Sequence, residues 1–119
     1  MKYTEEHEWL LVEDELVVVG ITKHASTELG DIVFIELPEA GTSVTKDEEI
    51  VVIESVKAAS DILAPLDGEI IEVNEILNDE PSKVNEDPTG GGWMFKMKIE
   101  NLSDLEDFMS EAEYKKFIS

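Results

Sequence analysis

Apolar residues in this chain come in short runs separated by turn-forming residues. Several of these runs alternate with polar residues at the two-residue period of a β-strand. The turns combine proline with glycine, as at 38–41, 65–68 and 88–92. Short, evenly spaced strands of this kind favour a sandwich or a barrel. The predicted strands are residues 8–12, 16–21, 32–37, 50–56, 60–63, 69–73 and 93–99.

Helical signals are fewer. Thr22 is a suitable N-cap for a helix over 23–29, and Gly30 is suited to end it. Two capping boxes, Ser103-x-x-Glu106 and Ser110-x-x-Glu113, predict short helices in a C-terminal segment over 103–118. We expect this segment to cover one end of the sandwich.

Composition limits the possible functions. The chain has 119 residues, which suits one domain, 1–119. It carries 9 basic residues, all lysine, against 29 acidic ones, for a net charge of −20. This charge argues against nucleic acid and favours partners with basic surfaces, although dispersed acidity also serves solubility or adaptation to a salty or hot habitat.

Other absences narrow the chemistry further. No run approaches the roughly 20 apolar residues of a membrane span. The N-terminal residues are acid-rich and lack a signal-like apolar stretch, so we expect a cytoplasmic location, although a trimmed mature chain would look similar. Cysteine is absent, which excludes thiolate chemistry by the chain itself. His7 and His24 are too few for a metal site without nearby acidic ligands, and surface or capping roles are expected for them.

Lys57 is the candidate functional residue. It lies between two strand-forming runs, 50–53 and 62–65, and so at the tip of a predicted hairpin. The tip has none of the Gly, Asn or Asp residues that hairpin turns usually use, whereas Ala58 and Ala59 leave room around the amine. A lysine in such a place suits acylation by an enzyme, and its four-carbon stem suits a flexible tether. An ordinary solvated turn lysine is the alternative.

Several separated motifs resemble one protein family. They are His7-Glu8-Trp9, Gly20-Ile21-Thr22, the segments 29–38 and 65–74, Glu54-Ser55-Val56-Lys57-Ala58, and Gly92-Trp93-Met94. Together they resemble the H proteins of the glycine cleavage system, over nearly the whole chain. Thr89 and Glu28 depart from the usual family residues, which bears on loop packing and on the chemistry of the cleft.

The resemblance implies a mostly β barrel-sandwich hybrid like that of lipoyl domains, with a short internal helix and short C-terminal helices. A weak internal echo, Gly-acid-aliphatic-aliphatic-x-aliphatic at 30–35 and 68–73, agrees with the two similar halves of that fold. It also implies that Lys57 carries lipoic acid in amide linkage, and that Glu54 and Gly68 help the lipoylating enzyme to recognise the domain. Glu8 and Asp61 would line a cleft for the arm, with Glu28 nearby.

The function implied by the resemblance is that of a monomeric carrier subunit, not an enzyme. It would take an aminomethyl group from the pyridoxal-phosphate-dependent glycine decarboxylase to the tetrahydrofolate-dependent aminomethyltransferase, and electrons to dihydrolipoyl dehydrogenase. A lipoyl ligase or lipoyltransferase would attach the cofactor.

Three alternatives remain open on the sequence. The first is a relay that passes lipoate to ketoacid dehydrogenases. The second is a biotinyl carrier, for which Met94-Phe95-Lys96-Met97 superficially offers a lysine near methionines, although Lys96 falls in an alternating strand and is expected to face outward. The third is an unmodified acidic interaction domain.

Overall fold

The computed structural model describes all 119 residues, and its nine strands form two sheets. The six-stranded sheet has the order β1-β2-β3-β9-β8-β5, and the three-stranded sheet has the order β4-β6-β7. All strand pairs are antiparallel. The strands are β1 Lys2–Tyr3, β2 Glu8–Glu13, β3 Leu16–Ile21, β4 Ile32–Glu36, β5 Ser43–Val44, β6 Glu49–Ser55, β7 Ala59–Leu63, β8 Gly68–Val73 and β9 Phe95–Lys98.

Four short α-helices and one 3-10 helix connect or flank the strands. They are α1 Lys23–Leu29, α2 Ile76–Asp79, α3 Lys83–Glu86, the 3-10 helix Leu102–Asp107 and α4 Glu111–Ile118. None of these helices has the length and apolar character needed to cross a membrane.

The run of apolar residues in β3 is continuous because both faces of this strand are covered. Val17 and Val19 point into the main core, which joins the two sheets, whereas Val18 points into a second cluster with Trp9 and Tyr114. Successive strand residues face opposite sides, so one strand contributes to both clusters. The second cluster attaches the C-terminal helix α4 to the six-stranded sheet.

The three-stranded sheet shows the expected alternation. Val51, Ile53 and Ile62 are buried in the main core, whereas Glu54 and Asp61 are exposed on the outer face. This pattern fixes the register of the β6–β7 hairpin, because a slip of one residue would turn its apolar side chains to solvent.

The mostly β fold with two sheets agrees with the prediction, and so do β3 and α1 in their bounds. Thr22 caps α1 by accepting a hydrogen bond from the Ala25 amide, and Gly30 ends the helix with φ of 82°. The two copies of the internal echo lie in different sheets, in β4 and β8.

A short helix forms in the segment predicted from Ser103, but its predicted cap was wrong. The capping box at Ser103 does not form, because Asn101 caps the 3-10 helix instead and its side chain accepts hydrogen bonds from both the amide and the hydroxyl of Ser103. The capping box of Ser110 and Glu113 does form, at the start of α4.

Candidate functional site

Lys57 lies at the exposed tip of the hairpin formed by β6 and β7. The turn is built by Ser55, whose hydroxyl accepts hydrogen bonds from the amides of Lys57 at 3.3 Å and Ala58 at 3.1 Å. The Ser55 amide donates to the Ala58 carbonyl at 2.8 Å, and no residue of the tip has positive φ. A serine side chain therefore replaces the glycine or asparagine that hairpin turns usually require. This role of Ser55 was not predicted, although a serine two residues before the lysine is a signal for such a turn.

The tip is held against the segment that follows α1. The Val56 amide donates to the Asp31 carbonyl at 3.0 Å, which extends the pairing of β6 with β4. This segment is in turn clamped by Asn85. Its side-chain amide donates to the Gly30 carbonyl at 2.8 Å, and its side-chain oxygen accepts from the Ile32 amide at 2.9 Å. The backbone beneath Lys57 is therefore fixed by hydrogen bonds.

The aliphatic stem of Lys57 passes over Gly30. A Cβ atom at Gly30 would lie 3.3 Å from Lys57 Cε, and the φ of 82° at this position is one that glycine adopts without strain. The Lys57 amine forms no ion pair within 4.0 Å. Lys57 thus has a fixed backbone, a glycine beneath its side chain and an amine without an ion pair. An acylation site needs these features.

A cleft of about 360 Å³ lies beside this hairpin. Three of the four acidic residues that line it are Glu8, Glu28 and Asp61, so the structure brings the predicted cleft residues together. Leu29, which precedes Gly30, also lines the cleft and links it to the stem of Lys57. Glu28 is not free there, because its carboxylate lies 3.2 Å from His24 Nε2.

Glu8 differs from the other acids of the cleft because it is only 2% exposed. Its Oε1 accepts a hydrogen bond from the Thr4 hydroxyl at 3.2 Å, whereas its Oε2 is buried without a partner. Burial is the main cause that raises the pKa of Glu8 from 4.5 to about 8, and the negative charges of Glu6 and Asp47 add to it. Glu8 is therefore largely protonated at neutral pH, whereas Asp61 is exposed on the outer face.

A polar network joins the cleft to the C-terminal helix. The Tyr114 hydroxyl lies 2.8 Å from His7 Nδ1 and 2.8 Å from the Thr22 hydroxyl, and His7 lines the cleft. The His7 and His24 rings lie 4.9 Å apart, yet no group of three His, Asp or Glu side chains is placed to hold a metal. His7 bonds to Tyr114 and His24 pairs with Glu28, and sequence reasoning did not reveal the contact of His7 with Tyr114.

The remaining candidates lie outside the cleft. Glu54 is exposed on the outer face of β6, opposite Ala59. Gly68 lines a separate depression, and a Cβ atom there would overlap the Lys98 carbonyl oxygen. Lys96 lies 3.5 Å from a Glu13 carboxylate oxygen and 5.1 Å from the centre of the Trp93 ring. It faces outward as predicted, but within an ion pair that an attachment lysine would not have.

Two packed β-sheets with an exposed lysine at a hairpin tip are the arrangement of carrier domains of the lipoyl and biotinyl class. Comparisons with known proteins give the particular family. The model of the glycine cleavage H-protein family matches residues 1–119. The chain belongs to this family, whose members are the lipoyl carriers of the glycine cleavage system.

Individual relatives agree with this assignment. The glycine cleavage system H protein of Thermotoga maritima is 53% identical over 116 residues, which cover 98% of this chain and 94% of that protein. The H protein of Acinetobacter baumannii is 52% identical over 114 residues, covering 96% and 92% respectively. The crystal structure of the H protein of Mycobacterium marinum superimposes with a TM-score of 0.86 at 36% identity, covering 97% of this chain and 93% of that one. The chain is thus a carrier subunit that shuttles an aminomethyl group within the glycine cleavage system.

Proposed function

We propose that Lys57 is the residue that carries lipoic acid and that the chain contributes geometry and shelter, not catalysis. The observation that carries this proposal is the exposed, unpaired amine of Lys57 on a tip whose backbone is fixed by Ser55. When attached, lipoate supplies the dithiol chemistry that a chain without cysteine lacks. Amide formation also removes the lysine charge, so the stem is free to lie against the protein.

We further propose that Glu8 and Asp61 shelter a cationic amine in the cleft. The Oε2 atom of Glu8 is buried and has no hydrogen-bond partner in the protein. A cationic amine entering the cleft would favour loss of the Glu8 proton, since a nearby opposite charge stabilises the carboxylate. A paired, desolvated carboxylate of this kind contributes about 1.5 to 3 kcal/mol. Asp61, which also lines the cleft, supplies a second carboxyl group.

We also propose that the lipoylating enzyme recognises Glu54 and Gly68. Glu54 is exposed and close to Lys57 in the chain, which suits pairing with a basic enzyme surface. At Gly68 a Cβ atom would overlap the Lys98 carbonyl oxygen, which supports a structural need for glycine as well. The two roles are separable by experiment.

The proposed partners are the pyridoxal-phosphate-dependent glycine decarboxylase, the tetrahydrofolate-dependent aminomethyltransferase, dihydrolipoyl dehydrogenase, and a lipoyl ligase or lipoyltransferase. We propose that one monomeric domain, 1–119, meets them in turn, with 103–118 as its C-terminal helical segment. A main core that draws side chains from both sheets and from the 3-10 helix supports the single domain. The cytoplasmic location remains part of this proposal and rests on the sequence argument alone.

A lipoyl relay to ketoacid dehydrogenases would use the same lysine and stays the alternative. A biotinyl role through Lys96 is disfavoured, since this amine is engaged by Glu13 and Trp93.

The attachment site is tested with lipoate, ATP and a lipoyl ligase acting on unmodified protein. We expect the parent and Lys96→Ala to gain about 188 Da, the mass of one lipoyl group. Lys57→Ala should gain no mass. Its free energy of unfolding should lie within about 0.5 kcal/mol of that of the parent, because the exposed tip contributes little packing. A lipoyl adduct on Lys57→Ala would contradict the proposal.

The shelter is tested with the double variant Glu8→Gln and Asp61→Asn. After lipoylation is confirmed by mass, the protein is loaded with glycine and the decarboxylase, and decay of the loaded form is followed. We expect a shorter lifetime than that of the parent. The matched control is Asp79→Asn with Glu80→Gln, which makes the same two substitutions on exposed acids at the end of α2. A lifetime equal to that of the control would remove Glu8 and Asp61 from the mechanism.

A further inference from the structure

Large apolar side chains are exposed next to Lys57. Val56, its neighbour in the chain, is 68% exposed, and Val33 and Phe34 on the adjacent strand β4 are 55% and 47% exposed. Because the Val56 amide bonds to the Asp31 carbonyl, the start of β4 lies directly beside the hairpin tip. These side chains therefore flank the lysine on the side of the edge strand.

A β-bulge places them there. β4 and β6 pair Ile32 with Ser55 and Phe34 with Glu54, so Val33 is an extra residue without a partner on β6. The bulge turns two consecutive large side chains outward, whereas regular alternation would expose one of them. On the outer face the register continues across β7, so that Phe34, Glu54 and Ala59 form one cross-strand row.

Protection of the edge strand does not account for these residues. A bulge on an exposed edge discourages pairing with other chains, but polar or charged side chains serve that purpose better than valine and phenylalanine. Exposed apolar side chains that adjoin a functional group mark an interaction surface, and aromatic residues are enriched in the buried centres of such surfaces.

We propose that Val33, Phe34, Glu54 and Val56, here called the bulge surface, form the docking surface for the enzyme that acylates Lys57. This inference rests on the proposed function of Lys57. An enzyme that reaches the amine must cover the residues around it, and the bulge surface is continuous with Lys57. Its apolar centre adjoins Glu54 and the exposed Asp31, in a chain of net charge −20. The complementary enzyme surface is an apolar pocket for Phe34 with a basic rim.

The reaction at this surface is acyl transfer from lipoyl adenylate. The Lys57 nitrogen forms an amide bond with the lipoyl carbonyl carbon, the bond from that carbon to the phosphate oxygen breaks, and AMP leaves. The ammonium loses two protons in the process. Docking affects how often the enzyme captures its substrate, so loss of the bulge surface should raise KM more than it lowers kcat.

The experiment uses unmodified full-length protein as the varied substrate of a lipoyl ligase with lipoate and ATP, followed by intact mass. Phe34→Ala is compared with Phe117→Ala, because Phe117 is 48% exposed and lies on α4. We expect Phe34→Ala to lower kcat/KM about ten-fold, mainly through KM, and Phe117→Ala to change it by less than about two-fold. Val33→Ser is the second variant, with a smaller loss expected, if Phe34→Ala unfolds.

Salt separates the two parts of the surface. The loss caused by Glu54→Gln should shrink as ionic strength rises, whereas the loss caused by Phe34→Ala should persist. The inference would be overturned if Lys57 is lipoylated but kcat/KM is equal for the three variants Phe34→Ala, Val33→Ser and Phe117→Ala. Normal acylation with slower loading by the decarboxylase would assign the surface to that partner and would also overturn it. Lipoylation of the parent at another lysine would instead refute the proposed function.

Discussion

The most distinctive prediction concerns Glu8 and the pH dependence of stability. In the folded protein Glu8 retains its proton up to about pH 8, whereas in the unfolded chain it ionises near pH 4.5. Between these values the unfolded state binds fewer protons than the folded state, so the contribution of Glu8 to the free energy of unfolding falls as pH rises. Below pH 4.5 the burial of Glu8 does not lower the free energy of unfolding through ionisation. Above about pH 8 the free energy of unfolding is lowered by the full cost of ionising the buried carboxyl group.

The size of this loss of stability follows from the two pKa values of Glu8. A rise of the Glu8 pKa from 4.5 to about 8 corresponds to about 5 kcal/mol at full ionisation, since each pKa unit is worth about 1.4 kcal/mol. At pH 7 the penalty is about 3 kcal/mol by the same arithmetic. Entry of water into the cleft on ionisation lowers both figures, which are upper values for that reason.

Glu8→Gln removes the titration while it retains the size of the side chain and an oxygen to accept from the Thr4 hydroxyl. The variant should match the parent within about 1 kcal/mol near pH 5 and should become progressively more stable than the parent up to about pH 9. Urea unfolding followed by tryptophan fluorescence measures this difference, because Trp9 is buried. Glu80→Gln controls for the change in net charge, since Glu80 is an exposed acid at the end of α2 and does not line the cleft.

A stability difference between Glu8→Gln and the parent that stays constant from about pH 5 to about pH 9 would refute the buried proton on Glu8. A difference equal to that of Glu80→Gln at each pH would refute it as well, because the effect would then reflect net charge and not a buried proton.

Two further predictions concern residues outside the cleft. Gly68→Ala should lower the free energy of unfolding by about 1 to 3 kcal/mol, because the new methyl group would overlap the Lys98 carbonyl oxygen. If the variant is as stable as the parent but poorly lipoylated, recognition is the sole role of Gly68. Asn85→Ala removes the clamp on the backbone of Gly30 and Ile32, so we expect a loss of about 1 to 3 kcal/mol and faster hydrogen exchange at Val56. Unchanged exchange at Val56 would separate the clamp from the hairpin tip.

The elements that sequence predicted well are those specified by local patterns. β3 has an uninterrupted apolar run, and α1 has both a threonine N-cap and a glycine end, so their bounds follow from nearby residues. The hairpin around Lys57 likewise follows from its two flanking runs. The capping box at Ser110 formed, whereas the one at Ser103 did not, because the 3-10 helix begins after Asn101 and Ser103 therefore lies inside it.

Features that depend on distant partners were not predictable in the same way. β1 and β5 are two residues long and exist only through their pairing with β2 and β8. The clamp by Asn85 joins segments 53 residues apart in the chain, and the contact of Tyr114 with His7 joins residues 107 apart.

The burial of Glu8 belongs to the same class. A glutamate at the start of a strand is ordinarily exposed, and one sequence position gives no sign that the surrounding segments close over it. The resemblance placed Glu8 and Asp61 in one cleft, but it gave no indication that one is buried and protonated while the other is exposed. That difference comes from packing alone.

The central claim is that Lys57, among nine lysines, is the residue that carries lipoate. The most direct test is peptide mapping by mass spectrometry of the unaltered protein after expression with lipoate and a lipoyl ligase. We predict an addition of about 188 Da confined to the peptide that contains Lys57, with fragment ions placing it on that side chain. An adduct on Lys96 or any other lysine, or a chain that stays unmodified while the ligase modifies a known substrate, would contradict the account.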